Sequence, residues 1–116
     1  MVMKNGILVE SLAFRIKADF LKSLAHPTRL AIIEYLKGGE ASVGKMGTDL
    51  GLEQSSLSKH LGVLRQAGIL VPRPEKSSVH YSIKDRDIFR ILRPIARILM
   101  KKLRESGRIL GGLGKD

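Results

Sequence analysis

The chain has no cysteine and no tryptophan among its 116 residues. Lack of cysteine excludes disulfides, thiol redox chemistry and thiolate metal sites together. Aromatic residues make up only 4% of the sequence, so any core must rest on Leu, Ile, Val and Ala. No apolar run approaches the roughly 20 residues needed to span a bilayer. Glu10 and Arg15 interrupt the apolar stretch near the N-terminus and no small-residue cleavage site follows, which argues against a secretory signal peptide. There is no phosphate-binding loop, no nucleophile elbow and no carboxylate pair beside a plausible base, so nothing here points to an enzyme or to a bound cofactor. The expectation is a non-enzymatic cytoplasmic protein with no membrane partner.

Acidic residues are also scarce. Eleven Asp and Glu face 21 Lys and Arg, a net charge of +10. The excess is uneven: residues 1–53 carry +1 and residues 54–116 carry +9. A polyanion is the natural partner, nucleic acid ahead of a membrane surface. The length suits one domain over residues 1–116 with a modest core, with flexible ends at 1–6 and 107–116, the latter containing Gly111, Gly112 and Gly114.

Periodicity orders the rest. From about Ile7 to Leu24, apolar residues at Leu8, Leu12, Ile16, Phe20 and Leu24 predict a helix, and Ala13, Phe14 and Leu21 widen its apolar face beyond what one core can cover. His26-Pro27 breaks it, and Pro27 suits the first turn of a second helix carrying Leu30, Ile33 and Leu36 up to Gly38-Gly39. Ser42 is a reasonable N-cap for a short helix with Val43, Met46 and Leu50, ending at Gly51. After a short turn, a helix from about Gln54 to Ala67 turns Leu57, Leu61 and Leu64 inward and stops at Gly68. Short helix, glycine turn, longer helix is the helix-turn-helix layout, whose second helix enters the major groove. Ile69–Val71 and Val79–Ile83 then read as two strands around a polar turn at 72–78. A β-hairpin in that place is a wing, so the fold expected is mainly α with a small β-hairpin wing, a winged helix-turn-helix. A last helix from about Asp85 to Ser106 carries one apolar stripe (Ile88, Ile91, Leu92, Ile95, Leu99, Leu103) with Pro94 inside it, and a basic stripe opposite that runs from Arg86 to Arg108. Pro94 is expected to kink that helix or mark a restart. Paired with the wide-faced first helix, the apolar stripe suggests a homodimer, with Leu12, Ile16, Phe20, Leu21, Ile91, Ile95, Leu99 and Leu103 at its interface.

Three stretches carry a resemblance: Leu24-Ala25-His26-Pro27-Thr28-Arg29, Gln54-Ser55-Ser56-Leu57-Ser58-Lys59-His60-Leu61, and Leu64-Arg65 followed by Ala67-Gly68. In this order and spacing the chain resembles the ArsR/SmtB family of bacterial and archaeal repressors over roughly residues 7–105. The resemblance implies a winged-helix dimer joined through its first and last helices. It also implies a repressor held on an inverted-repeat operator and released by a signal. The departures bear on that signal. Where metal-sensing members place a Cys-x-Cys pair, this chain has Ser42 and Gly44. Where others place Asp-x-His and a later His, it has Asp85-Arg86-Asp87 and then no histidine. Both familiar metal sites lack their nitrogen and sulfur ligands, so no metal is expected and the effector or partner protein is left open.

The candidate DNA-contacting residues are Gln54, Ser55, Ser56, Ser58, Lys59, His60 and Arg65 on or beside the second helix, and Arg73 and Lys76 on the wing. Small hydroxyls together with Gly62 permit close approach to base edges, and Gln54 and Lys59 reach bases or phosphates. Arg65 lies nearer the core flank, where bridging two elements is the other reading. His26 is expected to satisfy a local backbone group and His80 to point outward from the wing. The basic stripe of the last helix reads as a solvated face. The alternative class is a nucleoid-like or RNA-binding protein without strict sequence preference, which the same charge would serve.

Overall fold

The computed structural model describes residues 11–107, together with the backbone of residues 3–4 and 7–8. In chain order its elements are β1 (Met3–Lys4), β2 (Ile7–Leu8), α1 (Leu12–Leu24), α2 (Pro27–Leu36), β3 (Ala41–Ser42), α3 (Val43–Leu50), α4 (Gln54–Gln66), β4 (Leu70–Glu75), β5 (Ser78–Ile83) and α5 (Ile88–Glu105). They fall into two compact units, Met1–Ile83 and Lys84–Asp116. Of the ends expected to be flexible, Met1, Val2, Asn5, Gly6 and residues 108–116 lie outside the described residues, and with them Arg108 of the basic stripe.

The first helix starts later than its periodicity predicts. Ser11, in extended conformation, accepts the Phe14 N–H on its Oγ and caps α1. Ile7–Leu8 pairs instead with Met3–Lys4 in a two-stranded antiparallel ribbon. At the other end His26 caps α2: its Nδ1 accepts the Thr28 N–H at 3.0 Å, and Pro27 occupies the first helical position, where no N–H is needed. The core is built from Ile32, Ile33 and Leu36 of α2, Met46 of α3, and Leu57, Leu61 and Leu64 of α4, all essentially inaccessible to solvent. Leu30, expected on the inner face of α2, is exposed, and Ile32 takes the inward place. Truncating any of the buried leucines to alanine costs about 2–5 kcal/mol.

The two helices of the central pair end alike. Gly51 and Gly68 adopt φ of 66° and 79°, a left-handed conformation that glycine takes without a Cβ penalty. After α3, Gly51 N–H bonds the Thr48 carbonyl and Leu52 N–H the Gly47 carbonyl; after α4, Gly68 N–H bonds Arg65 and Ile69 N–H bonds Leu64. This is the paired 6→1 and 5→2 closure that satisfies terminal carbonyls while reversing the chain. The turn of only three residues between α3 and α4 follows from it.

The wing differs from expectation in extent. Strand β4 continues through Pro72 and Pro74 to Glu75, leaving a two-residue turn at Lys76-Ser77, with Lys76 at φ 52°. The sheet is three-stranded, ordered β3-β5-β4, because Ala41–Ser42 pairs with Tyr81 and His80. Strand β4 is therefore an edge. With Glu75 and Ser78 as the closing pair, the register turns the nitrogens of Pro72 and Pro74 away from β5, the one place in an antiparallel ladder where a missing N–H breaks no bond.

In the second unit α5 starts at Ile88, three residues later than expected, because Asp85 Oδ1 accepts the Asp87 N–H and holds residues 85–87 in a turn. The helix continues through Pro94, which leaves the Arg90 carbonyl without its helical donor. Ile88 and Phe89 are buried, and the Arg86 guanidinium lies over the Phe89 ring at 5.1 Å.

Candidate nucleic-acid interface

Helix α4 is held from beneath by Leu57, Leu61 and Leu64, which fixes the opposite face outward. Gln54, Ser55, Ser56, Ser58, Lys59, Arg65 and Gln66 are all exposed there. Six of the nine DNA-contact candidates are thus exposed on α4, with Lys59 opposite the leucines and Arg65 at their flank. Ser55 Oγ donates to Glu53 Oε1 at 2.6 Å, which presents the hydroxyl oxygen as an acceptor. Glu53 makes no side-chain cap bond, so the first-turn N–H groups of α4 keep their partial positive charge for an acceptor outside the helix.

His60 does not belong to this face. It is buried, 7% exposed, on the inner side of α4. Arg29 Nη1 donates to its Nδ1 at 3.2 Å, and the His26 ring lies 4.3 Å away, centroid to centroid. Arginine only donates, so Nδ1 of His60 must be an unprotonated acceptor with the ring proton on Nε2. Burial, then the neighbouring His26, Arg29 and Lys59, pull its pKa below the ordinary histidine value. The same arginine reaches back to α1, its Nε donating to the Ser23 carbonyl at 2.7 Å and Nη2 to the Lys22 carbonyl at 3.4 Å. Arg29 therefore ties the end of α1 and the underside of α4 to α2. Spacing hinted at this for His60, which sits four residues after Ser56 and four before Leu64, closer to the leucine stripe than to Lys59.

On the wing, Lys76 is exposed at the turn. Arg73 is exposed too but engaged: its Nε and Nη2 form a two-pronged contact with Glu40 at 2.9 and 2.8 Å, and Nη2 also lies 2.8 Å from Glu75. Those bonds hold the Glu40 carboxyl below its usual range and raise the guanidinium pKa further. Arg73 thus braces β4 against the segment leading into β3, rather than offering an uncompensated charge to a phosphate. His80 is half-buried instead of pointing outward, its Nδ1 enclosed without a hydrogen-bond partner. Helix α3 is oriented by Tyr35 of α2, whose hydroxyl donates to Asp49 at 2.6 Å, while Lys45 pairs with the same carboxylate at 3.2 Å. The Tyr35 link was not legible in the sequence, since it depends on which surfaces α2 and α3 bring together, whereas Lys45 and Asp49 are spaced i, i+4 on α3.

A helix-turn-helix domain family matches residues 24–73, the span from the end of α1 into the wing. The uncharacterized HTH-type transcriptional regulator Rv0081 of Mycobacterium tuberculosis is 40% identical over 101 residues, covering 86% of this chain and 89% of that one. Its crystal structure superposes with a TM-score of 0.74 at 39% identity over 84% of this chain and 98% of that one. The chain belongs to the HTH-type transcriptional regulators. As a helix-turn-helix transcription regulator it is a DNA-binding protein, with α3 and α4 as the helix-turn-helix and β4–β5 as the wing. A biofilm growth-associated repressor of Agrobacterium fabrum is 40% identical over 81 residues, 70% of this chain and 69% of that one. The homodimeric winged helix-turn-helix DNA-binding domain of a possible ArsR-family regulator from Mycobacterium bovis shares the fold, with a TM-score of 0.69 at 24% identity over 86% of this chain and 92% of that one. Family members carry transcription-regulator names rather than enzyme names, and no helix among the described residues is long and apolar enough to cross a membrane.

Proposed function

We propose that the chain is a cytoplasmic repressor without catalytic activity, which binds an inverted-repeat operator as a homodimer and is released by an effector or partner still to be identified. The observation that carries this is the outer face of α4: serines, Gln54 and Lys59 exposed together on a helix whose opposite side is locked by three buried leucines. Such a surface suits base-edge contact, with Lys59 and Arg65 for phosphates or purines. Half-site centres then lie about one helical turn apart, roughly 10 base pairs, so that both copies of α4 enter successive major grooves.

Two exposed apolar faces support the dimer. On α1, Leu12, Ile16 and Leu21 are 72%, 59% and 53% exposed, with Phe20 half-buried. On α5, Ile91, Ile95 and Leu99 are exposed and Leu103 is half-buried. Large aliphatic side chains in such rows are covered in a stable assembly, and a second copy supplies the same surfaces. Selection of bound sequences from a random duplex pool tests the reading. Enrichment of one inverted repeat supports it; uniform recovery, or preference for RNA, would favour a nucleoid-like or RNA-binding role.

A further inference from the structure

A groove of about 900 Å³ opens between α3, the start of α4 and the wing. Its floor is apolar, made by Leu57, Leu61, Val79 and Tyr81, and Gln54 and Ser58 of α4 stand on its lining. Among the described residues that line it, none is charged, in a chain where 28% of residues are. A cleft for a phosphate would carry cations. This one offers apolar surface, hydroxyls and one carboxamide, the lining expected for an uncharged organic molecule of drug-like size.

The glycines of α3 supply a separate observation. Gly51 is required by its positive φ, and Gly47 by crowding, since a Cβ there would stand 3.3 Å from the Leu52 carbonyl oxygen and 3.6 Å from a Leu57 methyl. Gly44 has neither reason. It lies within the helix, where glycine is a poor former, and nothing outside its own helical backbone comes within 4 Å of where a Cβ would be. That open space is the groove, which Gly44 lines.

We propose that this groove is an effector site for a neutral, mainly apolar small molecule whose binding opposes operator binding. The antagonism follows from position: Gln54 and Ser58 border the groove and also belong to the face of α4 assigned to DNA, so this part rests on that assignment. A ligand seated against them and a base pair held by them compete for the same atoms, and linkage makes each weaken the other.

The test uses Nile red, an uncharged dye that brightens in apolar surroundings, with the full-length protein. The expected result is saturable binding of one dye per chain, weakened by Gly44→Ala and at least tenfold by Gly44→Leu. Neither substitution should lower the melting temperature, because both residues are better helix formers than glycine. Ile98→Lys, which charges the exposed face of α5, should leave dye binding unchanged. The selected operator duplex should displace the dye. Dye binding untouched by Gly44→Leu, or abolished by Ile98→Lys, overturns the site. Dye and operator bound together without mutual loss overturns the antagonism. Failure of the DNA assignment reads differently: dye-free protein would then show no sequence preference, while the dependence on Gly44 persists.

Discussion

Replacing Arg29 with Met isolates the contact that joins three helices. Methionine keeps most of the aliphatic stem but cannot donate. The variant loses the 2.7 Å bond to the Ser23 carbonyl and the 3.2 Å bond to His60, both part-buried; the exposed 3.4 Å contact with the Lys22 carbonyl counts for little. A hydrogen bond from a charged donor contributes about 1.5–3 kcal/mol net, and the His60 bond is the longer of the two, so the loss should be about 2–4 kcal/mol. For a chain of this size that lowers Tm by roughly 4 °C per kcal/mol. The pH dependence carries the finer signature. The pKa of His60 is depressed in the folded protein, whereas the unfolded chain takes up its proton near the ordinary value of about 6.5. Above that pH the group is neutral in both states. As pH falls below it the unfolded state binds the proton first, and stability drops by up to about 1.4 kcal/mol per pH unit until the folded pKa is passed. Arg29→Met removes a neighbouring cation and releases the Nδ1 lone pair, which brings the folded pKa back toward 6.5. The stability gap between wild type and variant should therefore narrow between pH 7.5 and 5. Urea denaturation across that range measures it. A loss under about 1 kcal/mol, or a gap constant with pH, refutes the assignment of Arg29 as the tie between α1, α2 and α4.

On the DNA face, Lys59→Ala combined with Ser56→Ala should lower affinity for the selected operator by more than affinity for random duplex; equal losses in a gel-shift or anisotropy titration would show that α4 does not read sequence. Glu40→Gln combined with Glu75→Gln should remove both carboxylates from Arg73 and make that charge available to a phosphate, steepening the salt dependence of duplex binding by about one unit in the log–log slope. An unchanged slope would mean that the wing stays off the backbone. Leu99→Glu should place a carboxylate in the seam between protomers, where an unpaired buried charge costs several kcal/mol. Sedimentation should then show monomers with weakened operator binding, and a variant that stays dimeric with normal binding would place the interface elsewhere.

What the sequence announced well was whatever repeats locally. Leu57, Leu61 and Leu64 recur at helical spacing, and glycines mark the ends of α3 and α4, so the central pair was legible nearly to the residue. The stretch from Leu24 to Arg29 was legible as a resemblance, while its physical content, a histidine cap and an arginine tie, needed the packing of α4 to appear. His60 shows the limit from the other side: it follows the exposed Ser58 and Lys59, and although its spacing leans toward the leucine stripe, its contact with Arg29 is what takes it off the DNA face. Strand β3 is two residues long, too short for an alternating pattern, and Pro72 and Pro74 read as turn residues because the open edge that tolerates them is a property of the sheet. Arg73 looked like a phosphate ligand because Glu40 lies 33 residues away in the chain.

Those two prolines also govern what the sheet can become. An exposed edge strand is a template on which another chain can add by backbone hydrogen bonds, the usual route to strand exchange and fibrous aggregation. Along β4 the outward-facing backbone positions alternate with those bonded to β5, and two of them are Pro72 and Pro74. An incoming strand would find no donor at either, and the ladder would stop within a residue or two. On the inverted repeat proposed above, two copies at neighbouring half-sites can then crowd their wings without zipping into a common sheet.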